Sequence, residues 1–219
     1  LARLSARPVS VGSIISLGAG GGEDSAFMLS IWPDAQLLLV EMDDRFVSNF
    51  ERLQKKHPKL TYEICAAAGE DRTGLRQKSD RFGGAIVPDD SAHAANATPV
   101  KFSKVDTLAL AHKLTPPYFL KFDTHGAEIE ILKGAQDVLQ QTSLIMMEVY
   151  NFKLGFMDFK NFTFDEMSLY MKSLGFRCVD MCDPLYRPGD HVLWQMHMFF
   201  IRANHPTFER SSYSAPKPR

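Results

Sequence analysis

The stretch Leu120-Lys-Phe-Asp-Thr-His-Gly-Ala-Glu-Ile-Glu-Ile-Leu-Lys-Gly-Ala135 constrains this chain more than any other. An apolar run from Tyr118 to Phe122 ends in Asp123, turns at Gly126 and continues as a helical pattern. A buried strand that stops at an acid and hands over to a helix is the repeating unit of an open α/β sheet. Such sheets bind their ligands at the carboxyl ends of the strands, which is where Asp123, Thr124 and His125 then stand. Upstream, Gly18-Ala-Gly-Gly-Gly22 follows a second strand-like run. Two crevice-facing edges of this kind point to a small-molecule enzyme rather than to a structural protein.

The remaining elements follow by pattern. Val11 to Leu17 is β-prone, Asp24 to Trp32 helical up to Pro33, and Leu37 to Val40 a continuous apolar run ending at Glu41. Such uninterrupted runs belong to parallel strands buried on both faces. Asp43 or Asp44 caps a helix with Phe46, Val47, Phe50 and Leu53 on one face, and Tyr62 to Ala67 is the third strand. From Gly69 to Pro99 the pattern dissolves into Gly, Asp, Ser, Ala and Pro, which suits a substrate loop or lid. A short helix near Thr107 to Leu114 precedes the fourth strand, and Ser143 to Val149 is the fifth, closing at Glu148-Val-Tyr150. Thr163-Phe-Asp-Glu166 is a capping box that opens a helix ended by Gly175. Phe176 to Met181 and Met198 to Arg202 are a last strand pair joined by a polar loop. Alternating strand and helix, closed by a strand pair, predicts a doubly wound α/β sheet. Its expected limits are a short extension over 1–10, one domain over 11–205 and a disordered tail over 206–219.

At 219 residues and 45% hydrophobic, one domain with a full core is expected. A net charge of −1 carries no basic footprint for a nucleic-acid backbone. No apolar segment is long enough to span a bilayer, so no membrane partner is expected. Three cysteines, an odd number, make no disulfide framework and favour a reducing, cytoplasmic setting. The chain begins at Leu1, and the triplets Asn96-Ala-Thr98 and Asn161-Phe-Thr163 occur, so the secretory pathway stays open. Oligomeric state is not legible.

Gly18, Gly20 and Gly22 let a ligand approach the backbone closely. The dinucleotide fingerprint needs glycine at 23, where this chain carries Glu23, which argues against a nicotinamide dehydrogenase. The alternating G-x-G-x-G matches S-adenosylmethionine sites instead. Glu41 stands about twenty residues past the glycines, the spacing of an acid that accepts from both ribose hydroxyls. Asp123, His125 and Glu148 end adjacent central strands, where they can bind a substrate, remove a proton or hold a divalent metal. Cys178, Cys182, His191 and His197 fit no common zinc spacing, and the cysteines are expected to be buried thiols.

Val105-Asp-Thr-Leu108, the block from Leu120 to Glu128, Leu132-Lys-Gly-Ala135 and Glu148 together resemble the FkbM-type family of S-adenosylmethionine-dependent methyltransferases. The resemblance runs roughly from Ile14 to Arg202. It implies the class I methyltransferase (Rossmann-like) fold, a seven-stranded doubly wound sheet with an antiparallel last strand. By position it places Gly18, Ala19 and Gly20 at the methionine side, Glu41 and Met42 at the ribose end, and Ala66 and Ala67, past Cys65, at the adenine; Asp123 borders the cofactor too. It also implies O-methylation of a sugar or natural-product hydroxyl, a small-molecule or glycan acceptor. Ser16 stands where such enzymes carry an acid, with Glu23 or Asp24 as nearby substitutes.

The expected mechanism is direct methyl transfer with His125 as base and Asp123 and Glu148 orienting it or the acceptor, without metal. Coordination of Mg²⁺ or Ca²⁺ by Asp123 and Glu148 ranks second. Ser16 favours a further alternative, a non-catalytic cofactor-fold module that binds a partner or glycan. The segments Gly69 to Pro99 and Tyr150 to Asn161 are expected to wall the acceptor pocket, with Phe82, Tyr150, Phe152, Phe156 and Phe159 as aromatic surfaces.

Overall fold

The computed structural model describes residues 9–77, 85–87, 97–154 and 161–213. Its first half holds β1 (Ser13–Leu17), α1 (Ser25–Ile31), β2 (Gln36–Glu41), α2 (Val47–Lys56), β3 (Leu60–Ile64), β4 (Ala66–Ala67), β5 (Arg72–Gln77), β6 (Ala85–Val87) and β7 (Thr98–Ser103). There follow α3 (Val105–Ala111), β8 (Tyr118–Phe122), α4 (Glu128–Lys133), α5 (Gln136–Gln140) and β9 (Thr142–Tyr150). Last come α6 (Phe164–Ser173), β10 (Phe176–Tyr186) and β11 (Leu193–Arg202).

The main sheet has seven strands in the order β3-β2-β1-β8-β9-β11-β10. The central neighbours pair in parallel, while β11 runs antiparallel to both β9 and β10. This is the doubly wound class I methyltransferase topology, with the last strand inserted antiparallel. The sheet is apolar on both faces because helices cover both. Leu17, Val40, Phe122, Met147 and Phe200 pack with α3 to α6 on one side, and Ile14, Leu39, Phe119 and Phe199 pack with α1 and α2 on the other.

Several boundaries differ from the sequence expectation, each for a local reason. The third strand divides at Cys65: its N–H donates to the Glu41 carbonyl at 3.0 Å, and Ala66–Ala67 then leave to pair with Phe102–Ser103. The helix after Gly126 breaks into α4 and α5 at Gly134, which lies against the Ala68 carbonyl with no room for a side chain. The described part of Gly69 to Pro99 is not irregular. β5, β6 and β7 join β4 in a second, four-stranded sheet. Gly74 interrupts the alternation that would have betrayed β5, and it is needed because the Phe102 ring lies over it. Residues 78–84 and 88–96, and with them the lid expectation and Phe82, lie outside the described residues. β10 and β11 run well past Met181 and start before Met198. Pro184 is tolerated because β10 is an edge strand with a register shift between Cys182 and Leu185.

The capping box forms as expected, with the Thr163 N–H donating to Glu166 Oε2 at 2.8 Å and Gly175 at φ +81° closing the helix. Pro206–Phe208 forms one 3₁₀ turn after the last strand. No helix among the described residues is long and apolar enough to cross a membrane.

Candidate active site

The carboxyl ends of β1, β2, β8 and β9 converge on one edge of the sheet. At β1 the chain turns through Gly18 at φ +70°, Gly20 at +54° and Gly22 at +79°, conformations open to glycine and strained for other residues. Gly18 packs directly on the Asp123 carbonyl, so the two strand ends touch backbone to backbone. The Gly20 N–H donates to Glu41 Oε2 at 2.9 Å, and the Asp43 N–H donates to Glu41 Oε1 at 2.9 Å. The Glu41 carboxylate is thereby fixed at the end of β2. Burial pushes its pKa up, and the backbone hydrogen bonds from Asp43 and Gly20 only partly offset that. Met42, Ala66 and Ala68 pack with Val100 and Phe102 as an apolar surface beside it, and Ala67 is half-buried next to Ala66.

Below Glu41 lies a feature that the sequence did not reveal. Asp43 is fully buried and binds Arg45 at 2.7 Å and Arg76 at 3.7 Å, while Arg76 also reaches Asp44 at 2.9 Å. Burial alone would raise the Asp43 carboxyl, but hydrogen bonds from Arg45 and the charges of Arg45 and Arg76 outweigh it and hold the pKa low. Arg76 belongs to β5, so this ion pair ties the second sheet to the carboxyl end of β2.

At β8 the turn is pinned from beneath. Glu128 is buried and its Oε1 accepts from Thr124 Oγ1 and from the Gly126 N–H, both at 2.9 Å. This holds His125 in a left-handed conformation, φ +50°, with its ring over the end of β9. His125 Nδ1 lies 2.7 Å from Tyr150 Oη and 3.0 Å from Glu148 Oε2. Tyr150 donates to the same Glu148 oxygen at 2.7 Å, and Gln195 Nε2 donates to Glu148 Oε1. The network assigns the proton to Nδ1, leaving Nε2 as the basic nitrogen; Nε2 faces Asp123 Oδ1 at 4.0 Å. The hydrogen bond to Glu148 raises the His125 pKa, against the opposing effect of burial. Burial and the surrounding carboxylates push the Tyr150 phenol well above its ordinary range, so it stays protonated and serves as a donor.

Lys121 is a buried cation between Asp24 Oδ2 and Asp123 Oδ2, each at 3.1 Å. Burial disfavours its charge, but the two carboxylates more than compensate and raise its pKa. It pairs in register with Ser16, so the position expected to hold an acid is faced by a cation already neutralised from Asp24. Asp24 therefore serves Lys121 in this structure.

Asp123, His125 and Glu148 thus meet at one point, as expected, and Gly18, Ala19, Gly20 and Glu41 meet a strand or two away. Tyr150, expected as a pocket wall, instead buries its hydroxyl in the His125 network. Phe152 stacks on Trp194 with ring centroids 5.2 Å apart, whereas Phe156 and Phe159 lie outside the described residues. Of the cysteines only Cys65 is buried, its thiol pushed up to about 12 by burial; Cys178 and Cys182 are half-buried, which corrects the expectation. A register shift between Cys178 and Asp180 turns the two onto opposite faces of the sheet. Asn161 is buried, its side chain bridging Leu154 N–H and the Phe152 carbonyl, so that triplet serves the fold.

The seven-stranded doubly wound sheet with its inserted antiparallel strand is that of a class I methyltransferase. The sequence matches the methyltransferase FkbM domain over residues 21–178, and the chain belongs to that family. No curated protein matches it. Among solved structures it is similar to the 1,6-didemethyltoxoflavin-N1-methyltransferase of Burkholderia thailandensis, bound to 1,6-didemethyltoxoflavin and S-adenosylhomocysteine. The identity is 13% and the TM-score 0.50, over 93% of this chain and 76% of that one. An uncharacterised protein of Listeria monocytogenes serotype 4b aligns at 7% identity and TM-score 0.52, over 94% and 67%. A protein of the NADB-Rossmann superfamily from Streptococcus agalactiae aligns at 10% and 0.50, over 92% and 66%. At these identities the likeness concerns the fold.

Proposed function

We propose that this chain transfers a methyl group from S-adenosylmethionine to a hydroxyl oxygen of a sugar or natural-product small molecule. The observation that carries the reading is the orientation of His125, whose Nδ1 is held by Glu148 and Tyr150 while Nε2 faces Asp123. A base fixed through one nitrogen is what a hydroxyl acceptor needs and a more nucleophilic amine does not.

The residues fit the cofactor. The backbone at Gly20 leaves room, since a Cβ there would meet only Glu23 Oε2 at 3.4 Å, and Glu41 is fixed with acceptor capacity remaining on both oxygens. Gly18, Ala19 and Gly20 would line the methionine portion, Glu41 and Met42 the ribose, and Ala66 and Ala67 the adenine. When bound, S-adenosylmethionine supplies an electrophilic methyl carbon. Asp123 and Glu148 orient the imidazole and the acceptor, and His125 Nε2 takes the hydroxyl proton as the oxygen attacks. The acceptor pocket is walled on one side by the ring edges of Phe152 and Trp194, the Phe152 faces being taken by Trp194 and Arg187, and these edges suit the apolar side of a sugar ring or a flat apolar compound.

A metal-assisted reaction is the second reading, favoured by ligand atoms of Asp123, His125 and Glu148 within 4.8 Å of one another. It ranks behind because both Glu148 oxygens already accept hydrogen bonds. Exhaustive EDTA treatment decides between them: unchanged turnover supports metal-free transfer, and loss restored by Mg²⁺ or Ca²⁺ supports the metal. Calorimetry with S-adenosylmethionine and S-adenosylhomocysteine tests the whole proposal. Absence of binding at millimolar ligand would instead support a non-catalytic module.

A further inference from the structure

At the far edge of the main sheet, Cys182 of β10 pairs in register with His197 of β11, and His197 pairs with Glu148 of β9. Asp183 follows at φ +51° beside the irregular register of β10. Its Oδ2 accepts from Cys182 Sγ at 3.0 Å and stands 3.7 Å from His197 Nδ1. Thiol sulfur, carboxylate oxygen and imidazole nitrogen all lie within 4.8 Å of one another. His197 Nδ1 is buried and has no hydrogen-bond partner among the described residues. A buried polar atom left unsatisfied is destabilising, so it calls for an explanation. Beside the three groups opens a cavity of about 160 Å³, lined by Cys182 and Asp183 on one side and by Asp24 and Lys121 on the other.

We propose that Cys182, Asp183 and His197 form a site for one divalent transition-metal ion of the zinc type. The donor set selects the class of metal: a sulfur and an imidazole nitrogen beside one carboxylate suit zinc or cobalt, whereas Mg²⁺ and Ca²⁺ take oxygen. With Zn–S near 2.3 Å and Zn–N near 2.0 Å, ligand atoms of a tetrahedral site stand roughly 3.3–3.6 Å apart. The Asp183 oxygen already lies 3.0 Å from the sulfur and 3.7 Å from the nitrogen, close to that spacing. On binding, the Cys182 thiol proton leaves to solvent. The thiolate sulfur, one Asp183 oxygen and the His197 Nδ1 lone pair each donate to the ion, which satisfies the orphaned nitrogen. Three protein ligands leave a fourth position directed to solvent or the cavity, the arrangement of reactive rather than closed structural zinc sites. The inference is independent of the methyl-transfer reading.

The test uses the full chain, stripped of metal by a chelator and titrated with Co²⁺. The expected result is one equivalent bound with a thiolate-to-cobalt charge-transfer absorption, displaced by Zn²⁺. Cys182→Ala and His197→Ala should lose the absorption, while Cys178→Ala and His125→Ala should retain it, with circular dichroism confirming the fold of each. No charge-transfer absorption in the unmodified chain at saturating Co²⁺ overturns the site without recourse to any variant. So does an absorption that survives in Cys182→Ala or His197→Ala.

Discussion

Gly18 and Asp123 are in backbone contact: a Cβ at position 18 would overlap the carbonyl oxygen of Asp123. The glycine turn after β1 and the acid that ends β8 are thus spaced by the absence of a single methyl group. Gly18→Ala should be costly twice, because φ +70° is strained for alanine by roughly 1–2 kcal/mol and the overlap must be relieved by parting the strand ends. We expect an unfolding midpoint lower by on the order of 5–15 °C and a large loss of S-adenosylmethionine affinity. A variant that keeps both the midpoint and the calorimetric affinity would contradict this packing argument.

His125 and Glu148 set the pH behaviour. Glu148 holds the His125 pKa above its ordinary value, so the basic form, and with it turnover, should rise with pH through that raised pKa. Glu148→Gln removes the charge, and the midpoint of the kcat profile should move to lower pH while the maximum rate falls. His125→Ala should lower kcat by about 10²–10⁴-fold with cofactor affinity nearly unchanged. Stability carries the same signature with its own sign. A raised folded-state pKa stabilises below the unfolded histidine value, and that contribution is lost as pH rises through the folded one. The stability difference between the unmodified chain and Glu148→Gln should therefore be larger at pH 5.5 than at pH 9. A pH-independent difference would leave Glu148 with a packing role only.

Arg76 anchors the second sheet. Arg76→Ala removes one partner of the fully buried Asp43, which keeps Arg45. The expected destabilisation is on the order of 2 kcal/mol, below the full cost of breaking a buried pair. Because Asp43 and Glu41 share a hydrogen bond at the end of β2, cofactor affinity should fall as well. Denaturant unfolding and calorimetry on the same variant measure the two effects, and an unaffected affinity would separate the ion pair from the site.

The parts of this site that are local in sequence were legible there. Strand β8, its terminal Asp123 and the turn at Gly126 lie in one stretch, and a run of apolar residues ending in an acid carries that pattern without help from elsewhere. Glu41 and the glycine turn are likewise a strand end each. Arg76 and Gln195 were not legible as site residues, because what defines them is a cross-strand neighbour, and Tyr150 was legible only as a pocket wall. Arg76 reaches Asp43 only once β5 has paired with β7, and Gln195 reaches Glu148 only through the β9–β11 register. Cys182 and His197 show the same limit more sharply. Their spacing matches no metal pattern, and one extra residue at Val179 decides which cysteine faces the histidine.

Phe152 carries the last prediction. It stacks on Trp194, with interplanar angle 29°, and the Arg187 guanidinium lies over its other face at 4.6 Å. The segment that holds it leaves β9 beside Tyr150, so its ring stands next to the His125 network rather than next to Glu41. A wall that meets the acceptor and not the cofactor should separate the two affinities. Phe152→Ala should raise the acceptor KM several-fold, with kcat at saturation reduced less and S-adenosylmethionine affinity preserved. Phe152→Tyr, which keeps the ring between Trp194 and Arg187, should restore most of the loss. If alanine instead lowers cofactor affinity and unfolding midpoint together, Phe152 packs the sheet edge and the acceptor lies elsewhere on the site.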